Sequence, residues 1–229
     1  YTNVFAPMIL RMAIMEKEDL ESIAEVLRDT NILVISDEIH CDMPLWGNVH
    51  TPFATVSQAA AACSITFGAP TKTFNIAGIV SSYAIVPNEA LREKFFGYLA
   101  ANELDMPTIF AMVATEAAFN KGEGWRCEMV RYIEANIDFV VEYIAEYMPD
   151  IKVFKPQASY LVWLDFSALG LSHERLVDMI INEARLAMND GAMFGAGGEQ
   201  HMRMNVGLPR PVLRRALEQL REAIDKISR

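Results

Sequence analysis

The sequence predicts an α/β fold that passes into an α+β C-terminal portion, and three features predict it. An amphipathic helix feeds a short apolar strand near the start. Two further β-rich runs follow, each reached through a polar or glycine-bearing connection. Beyond Pro87 long helices take over, and strands mixed with helices come after them.

Residues 16–30 set Leu20, Ile23, Ala24 and Leu27 on one face at helical spacing, with an acidic first turn suited to a helix N-terminus. The run ILVIS at 32–36 is too short for an ordinary helix and rich in β-branched residues, so it reads as a buried strand. CSITF at 63–67 and IVSSYAIV at 79–86 are the next strand candidates. Residues 88–104, 108–121 and 124–148 read as helices, the last with a stripe of Trp125, Met129, Ile133, Ile137, Val140 and Ile144 that Pro149 stops. Strands are expected at 151–155 and 159–166, a helix at 173–189, a glycine-rich loop at 191–198, a strand near 201–207, and a last helix with Pro211 in its first turn. This divides the chain into a partial α/β domain, 1–86, and a portion of connecting helices and small domain, 87–229.

Composition excludes several functions. With 52% hydrophobic and 22% charged residues in 229, the chain can bury a core and is not disordered. Its 20 Lys and Arg against 30 Asp and Glu give a net charge of −10, which repels a nucleic-acid backbone. Three widely spaced cysteines without a CxxC argue against a disulfide framework or a thiolate metal site, and the four histidines show no ligand spacing, so no metal is expected. No apolar run reaches the roughly 20 residues that cross a bilayer. The opening residues, YTNVFAPMIL, lack the basic leader of a secretion signal, so a cytoplasmic protein is expected.

Two segments could carry chemistry. In ISDEIHCD, 35–42, Asp37 and Glu38 lie just past the carboxyl end of a strand, where ligands usually meet an open α/β sheet. In FGAPTKTFNIAG, 67–78, Lys72 emerges among small and hydroxylated neighbours in what reads as a loop. Taken singly, each reads first as an ordinary solvated turn or surface lysine. The glycines of 191–198 do not form the GxGxxG of a nucleotide site, and Met188, Met193, Met202 and Met204 read as packing residues.

Taken together, SDEIHCD, then APTKTFNIAG, then HMRMNVGLPRPVLRRALEQL resemble the fold-type I pyridoxal-phosphate enzymes, and within them the branch of class I/II aminotransferase relatives that contains cystathionine β-lyases and other carbon–sulfur lyases. The resemblance implies the PLP-dependent transferase-like fold, with this chain as a truncated C-terminal part lacking much of the large domain. Lys72 resembles the lysine that forms a Schiff base with the cofactor, and Asp37 the acid that pairs with its pyridine nitrogen. His40 stands where many aminotransferases carry a tyrosine on the cofactor's phenolic oxygen. Thr71 is placed to donate to the phosphate, whereas Ala69 and Val80 replace the serine and arginine of many relatives. The family's glycine-rich phosphate loop is not found, and residues 1–15 do not resemble the asparagine–proline segment that usually precedes this region. Arg203 resembles the arginine that grips the substrate α-carboxylate; His201, on the same strand face, reads as structural, and Arg210, Arg214 and Arg215 as the start of a helix. The implied activity is α,β-elimination from sulfur-containing L-amino acids to pyruvate, ammonia and a thiol. The alternatives are an aminotransferase and an inactive binding or structural module. A homodimer is implied by the resemblance alone.

Overall fold

The computed structural model describes residues 13–227, so the expectations for residues 1–12 lie outside the described residues. Two compact units divide between Met129 and Val130.

The first unit opens with α1, Lys17–Leu27, whose Leu20 and Ala24 are buried as the helical spacing requires. It leads into β1, Val34–Asp37. After a 3-10 turn at Phe53–Thr55, the short α2, Gln58–Ala62, is capped by the Ser57 hydroxyl, which accepts from the Ala60 N–H, and feeds β2, Ser64–Gly68. Leu20, Ala24, Val34, Phe53, Val56 and Ala60 form one apolar cluster beneath this sheet. β1 and β2 are parallel, with Val34 opposite Ser64 and Asp37 opposite Phe67. Parallel pairing needs a crossover, and the segment between the strands supplies it.

Residues 70–73 are helical rather than the loop that the glycine-rich surroundings suggest. Pro70 begins the turn α3, Pro70–Thr73, because its fixed φ suits a first helical position. The strand expected at 79–86 shrinks to β3, Tyr83–Ile85. Residues 77–79 make a 3-10 turn instead, and Val80 takes a left-handed φ of 52°, which no strand tolerates. β3 pairs antiparallel with β2, placing Tyr83 opposite Gly68, so the sheet runs β1-β2-β3. The outer edge of β1 has no partner strand among the described residues, and Ile32, Leu33 and Ile35 are exposed along it.

Helices α4, Glu89–Ala101, and α5, Ile109–Lys121, start on the side-chain caps Asn88 and Thr108. They fall with the first unit because their side chains pack there: Phe95 meets Phe67, Phe119 meets Phe74 and Tyr83, and the Ser81 and Thr115 hydroxyls lie 2.7 Å apart. Helix α6, Glu123–Tyr147, buries Ile133, Ile137, Val140 and Ile144 as the stripe predicts. Trp125, expected in that stripe, is half-exposed and stacks on Phe74 instead.

The second unit is built on an antiparallel sheet. Its strands are β4, Lys152–Phe154, β5, Leu161–Asp165, and two later ones; α7, His173–Asp178, comes between. The helix predicted to reach residue 189 ends early. Its hydrogen bonding widens to a π turn at Met179–Glu183, and Arg185 adopts a left-handed φ of 55° that closes it. Strands β6, Asn189–Asp190, and β7, His201–Asn205, complete the order β4-β5-β7-β6, and α8, Arg210–Ile227, ends the chain with Leu213, Leu217, Leu220 and Ile224 buried. Side chains of strands alternate between faces. Val162 opposite Met204 and Leu164 opposite Met202 are therefore the core face, while Trp163 opposite Arg203 and Asp165 opposite His201 form the other. No described helix is long and apolar enough to cross a membrane.

Candidate active site

The parallel register of β1 and β2 brings the two chemical segments together. Asp37 is the last residue of β1, and the ladder continues one step further through the Glu38 N–H, which donates to Phe67 O at 2.8 Å. β2 ends one residue later, at Gly68, and its chain turns at once into α3, which carries Thr71 and Lys72. An acid and an amine thus leave the same carboxyl edge of one sheet, the edge at which open α/β sheets meet ligands.

The two adjacent acids differ sharply. Glu38 is buried and fully engaged: Ser36 Oγ donates to Oε1 at 3.0 Å, Phe53 N–H donates to the same oxygen at 3.1 Å, and His50 Nε2 lies 2.8 Å from Oε2. It ties the segment 38–53 back to β1. Asp37 is exposed and, among the described residues, holds only a long contact from the Ile39 N–H, 3.4 Å, to Oδ1. Of the pair, Asp37 alone has its carboxylate open to a bound cation.

Lys72 is half-buried, and its ammonium has no hydrogen-bond or ion-pair partner among the described residues. The next residue, Thr73, is buried with a hydroxyl that finds no partner, as is Thr66 on β2. Buried hydroxyls are normally satisfied, so the Thr73 hydroxyl, in the turn that carries Lys72, is an open polar group at this edge. Thr71 is half-buried, its carbonyl accepting from the Ile76 N–H at 3.1 Å. His40 lies half-buried in the turn after β1, where its carbonyl accepts from the Met43 N–H at 3.1 Å.

Two neighbours were not singled out by sequence reasoning. Cys41 has its thiol pushed up to about 12 by burial and by the charges of Asp42 and Glu38, so it stays neutral and is no nucleophile. Tyr83 covers Gly68: a Cβ there would fall 2.3 Å from the phenol ring and hydroxyl. Burial and the same acidic neighbourhood raise its phenol. The pairing of a strand-end glycine with an aromatic on the next strand is the signal that marks it, and that pairing is visible only once the register is known.

Arg203 belongs to the second unit. Its Nη2 donates to Asn189 Oδ1 at 3.1 Å, its guanidinium lies 4.4 Å from the centre of the Phe194 ring, and its Nε is buried without a partner. No carboxylate among the described residues pairs with it, and burial lowers its pKa. A guanidinium held in this way is set to receive an anion. His201 stacks on Trp163 with centroids 5.6 Å apart, and Arg210 donates from Nε to the buried Asn136 at 2.7 Å; both serve the unit itself.

The family described as aminotransferase class I and II matches residues 13–220. Among curated relatives, a protein of Bacillus subtilis named cystathionine beta-lyase PatB is 40% identical over 91% of this chain and 54% of its own length. Protein MalY of Escherichia coli is 30% identical over 90% of this chain and 53% of its own. The crystal structure of cystalysin from Treponema denticola, which contains a pyridoxal 5'-phosphate cofactor, superposes with a TM-score of 0.91 at 31% identity, covering 94% of this chain and 55% of that one. The chain spans about half the length of the relatives it matches.

Proposed function

Since the chain belongs to the aminotransferase class I and II family, we propose that it is the Lys72- and Asp37-bearing part of a pyridoxal-phosphate-dependent carbon–sulfur β-lyase acting on sulfur-containing L-amino acids. The observation that carries the reading is the parallel β1–β2 register, which delivers Asp37 and Lys72 to one sheet edge. The similarity to a cystathionine β-lyase and to cystalysin favours elimination among the family's reactions.

The residues present fit the cofactor. Its aldehyde asks for an amine without a fixed partner, its pyridine nitrogen for an accessible carboxylate, and its phosphate for hydroxyl donors. Lys72, Asp37 and Thr71 supply these, with the unsatisfied Thr73 hydroxyl beside them. Ala69 and Val80 add nothing to the phosphate set. When bound, the cofactor supplies an electrophile for the substrate amine and a sink for the electrons left at Cα.

The roles of the chain's own groups follow. Asp37 keeps the ring nitrogen protonated, which strengthens that sink. Arg203 holds the substrate α-carboxylate, and fixing that group orients the Cα–H bond. Lys72 Nζ takes the Cα proton as general base. The Cβ–S bond then breaks, its electron pair leaving with sulfur as a thiolate, and with one water consumed the rest of the substrate leaves as pyruvate and ammonia. His40, next to this edge, is assigned to the cofactor's hydrogen-bonding shell. A homodimer belongs to this reading on the family resemblance alone.

Borohydride reduction of the protein in the presence of pyridoxal phosphate, followed by peptide mapping, is expected to leave a pyridoxyl group on Lys72 and none on Lys72→Ala. Cystathionine is expected to yield pyruvate and a thiol with no keto acid added. Reduction that labels other lysines equally would overturn the assignment of Lys72, and dependence on a keto-acid acceptor would move the reaction to transamination.

A further inference from the structure

We propose that His173 is a positioning residue for Arg203, closing the glycine-rich segment 190–200 that holds one neighbour of the guanidinium, Phe194, and adjoins the other, Asn189. The inference rests on the reading of Arg203 as the carboxylate-binding group.

His173 is the first residue of α7, beyond the Ser172 cap. Its ring grips the segment at both ends. At one end Nε2 lies 3.1 Å and 3.3 Å from the two oxygens of Asp190. At the other, Nδ1 accepts from the Gln200 N–H at 3.3 Å. A backbone N–H can only donate, so Nδ1 must offer its lone pair and Nε2 must carry the proton: the contacts define a neutral imidazole in one tautomer. Asp190 in turn accepts from the Ala192 N–H at 2.9 Å.

Inside that closure the segment is pinched a second time. A Cβ on Gly191 would lie 2.2 Å from Gly198 O, and one on Gly198 would lie 2.0 Å from Gly191 O, so the two backbones touch where no side chain fits. His173 ties the residues just outside this pinch, 190 and 200, and so fixes the direction in which the intervening residues leave the sheet.

Those residues matter because of what they hold. Asn189, next to Asp190, accepts from Arg203 Nη2, and Phe194, within the segment, lies under the guanidinium and edge-on to Trp163 at 5.7 Å. Neither neighbour is charged, so the guanidinium is aimed by shape and one hydrogen bond while its charge stays unspent for a ligand. If the segment opens, both supports move together and the arginine loses its fixed direction. A rigid ring with one donor and one acceptor is needed, and each amide replacement keeps one arm: Asn retains an acceptor near the Nδ1 position, and Gln a donor near Nε2.

The test compares His173→Ala, His173→Asn, His173→Gln and Arg203→Gln. In the cofactor-free protein, hydrogen exchange at the Ala192 and Gln200 amides is expected to speed up in His173→Ala. In the cofactor-loaded protein, absorbance titration is expected to show L-alanine bound about tenfold more weakly by His173→Ala, with 2-amino-1-propanol, which lacks the carboxylate, unaffected. The Asn and Gln variants should each recover part of the loss, and elimination from cystathionine should show a KM raised by more than kcat is lowered. Faster exchange with parental L-alanine affinity, or equal weakening of both probes, overturns the inference. Should Arg203→Gln bind L-alanine as the parent does, the reading of Arg203 itself fails, whatever His173 does.

Discussion

At the residue scale, Asp37 and Glu38 are neighbours in sequence and opposites in energetics. Glu38 is buried beneath three donors, and removing its carboxylate strands the Phe53 N–H and His50. Glu38→Ala is therefore expected to cost roughly 2–4 kcal/mol in a urea melt. Asp37 is exposed and weakly bonded, so Asp37→Ala should change stability by less than about 0.5 kcal/mol while abolishing most of the elimination activity. Equal melts for the two variants would show that the division of labour is wrong. The same pair shows how much of the site was legible in advance. The family resemblance singled out Asp37, His40, Thr71, Lys72 and Arg203 as candidates, but it could not show which of two adjacent acids is occupied. That depends on His50 and Phe53, which lie 12 and 15 residues away along the chain and reach Glu38 only through the fold. Tyr83 and His173 escaped for the same reason, since their partners at Gly68, Asp190 and Gln200 are set by strand register and loop closure.

At the scale of elements, helix α6 and the segment after β7 are joined through one buried amide. Asn136 Nδ2 donates to the carbonyls of Val206 at 2.8 Å and Leu208 at 2.9 Å, and its Oδ1 accepts from Arg210. Asn136→Leu would leave two carbonyls and a guanidinium nitrogen without this partner, a loss of roughly 2–4 kcal/mol measurable by thermal or urea unfolding. A near-neutral result would mean that the segment relaxes to satisfy itself. Apolar spacing located α1 and α6, whose buried residues recur at helical intervals. It overextended α7 and β3, where single residues, Arg185 and Val80, adopt left-handed backbone that hydrophobic spacing cannot foresee. Around Lys72 glycine and threonine suggest a loop, and the one helix-starting signal, Pro70, prevails in the fold.

For the whole molecule, the thiols and phenols that lose part of their water on folding shift in one direction. Burial pushes Cys41 up from 9.0 to about 12 and also raises Cys63, Tyr83 and Tyr160. A raised value means that the folded state holds the proton more tightly than the unfolded state. The resulting stability is whole below the ordinary value and is lost as pH rises through the folded one. Melting temperature should fall as pH climbs from 9.0 towards about 12, with a shallower slope in Cys41→Ala. An unchanged slope would place the alkaline loss elsewhere. The unpaired margin of β1 bears on how the protein behaves in company. A strand rim that offers vacant amide and carbonyl groups beside Ile32, Leu33 and Ile35 is a template onto which another backbone can be laid. Among the described residues no strand covers that rim, so the backbone that carries Asp37 is also one against which further polypeptide can pair.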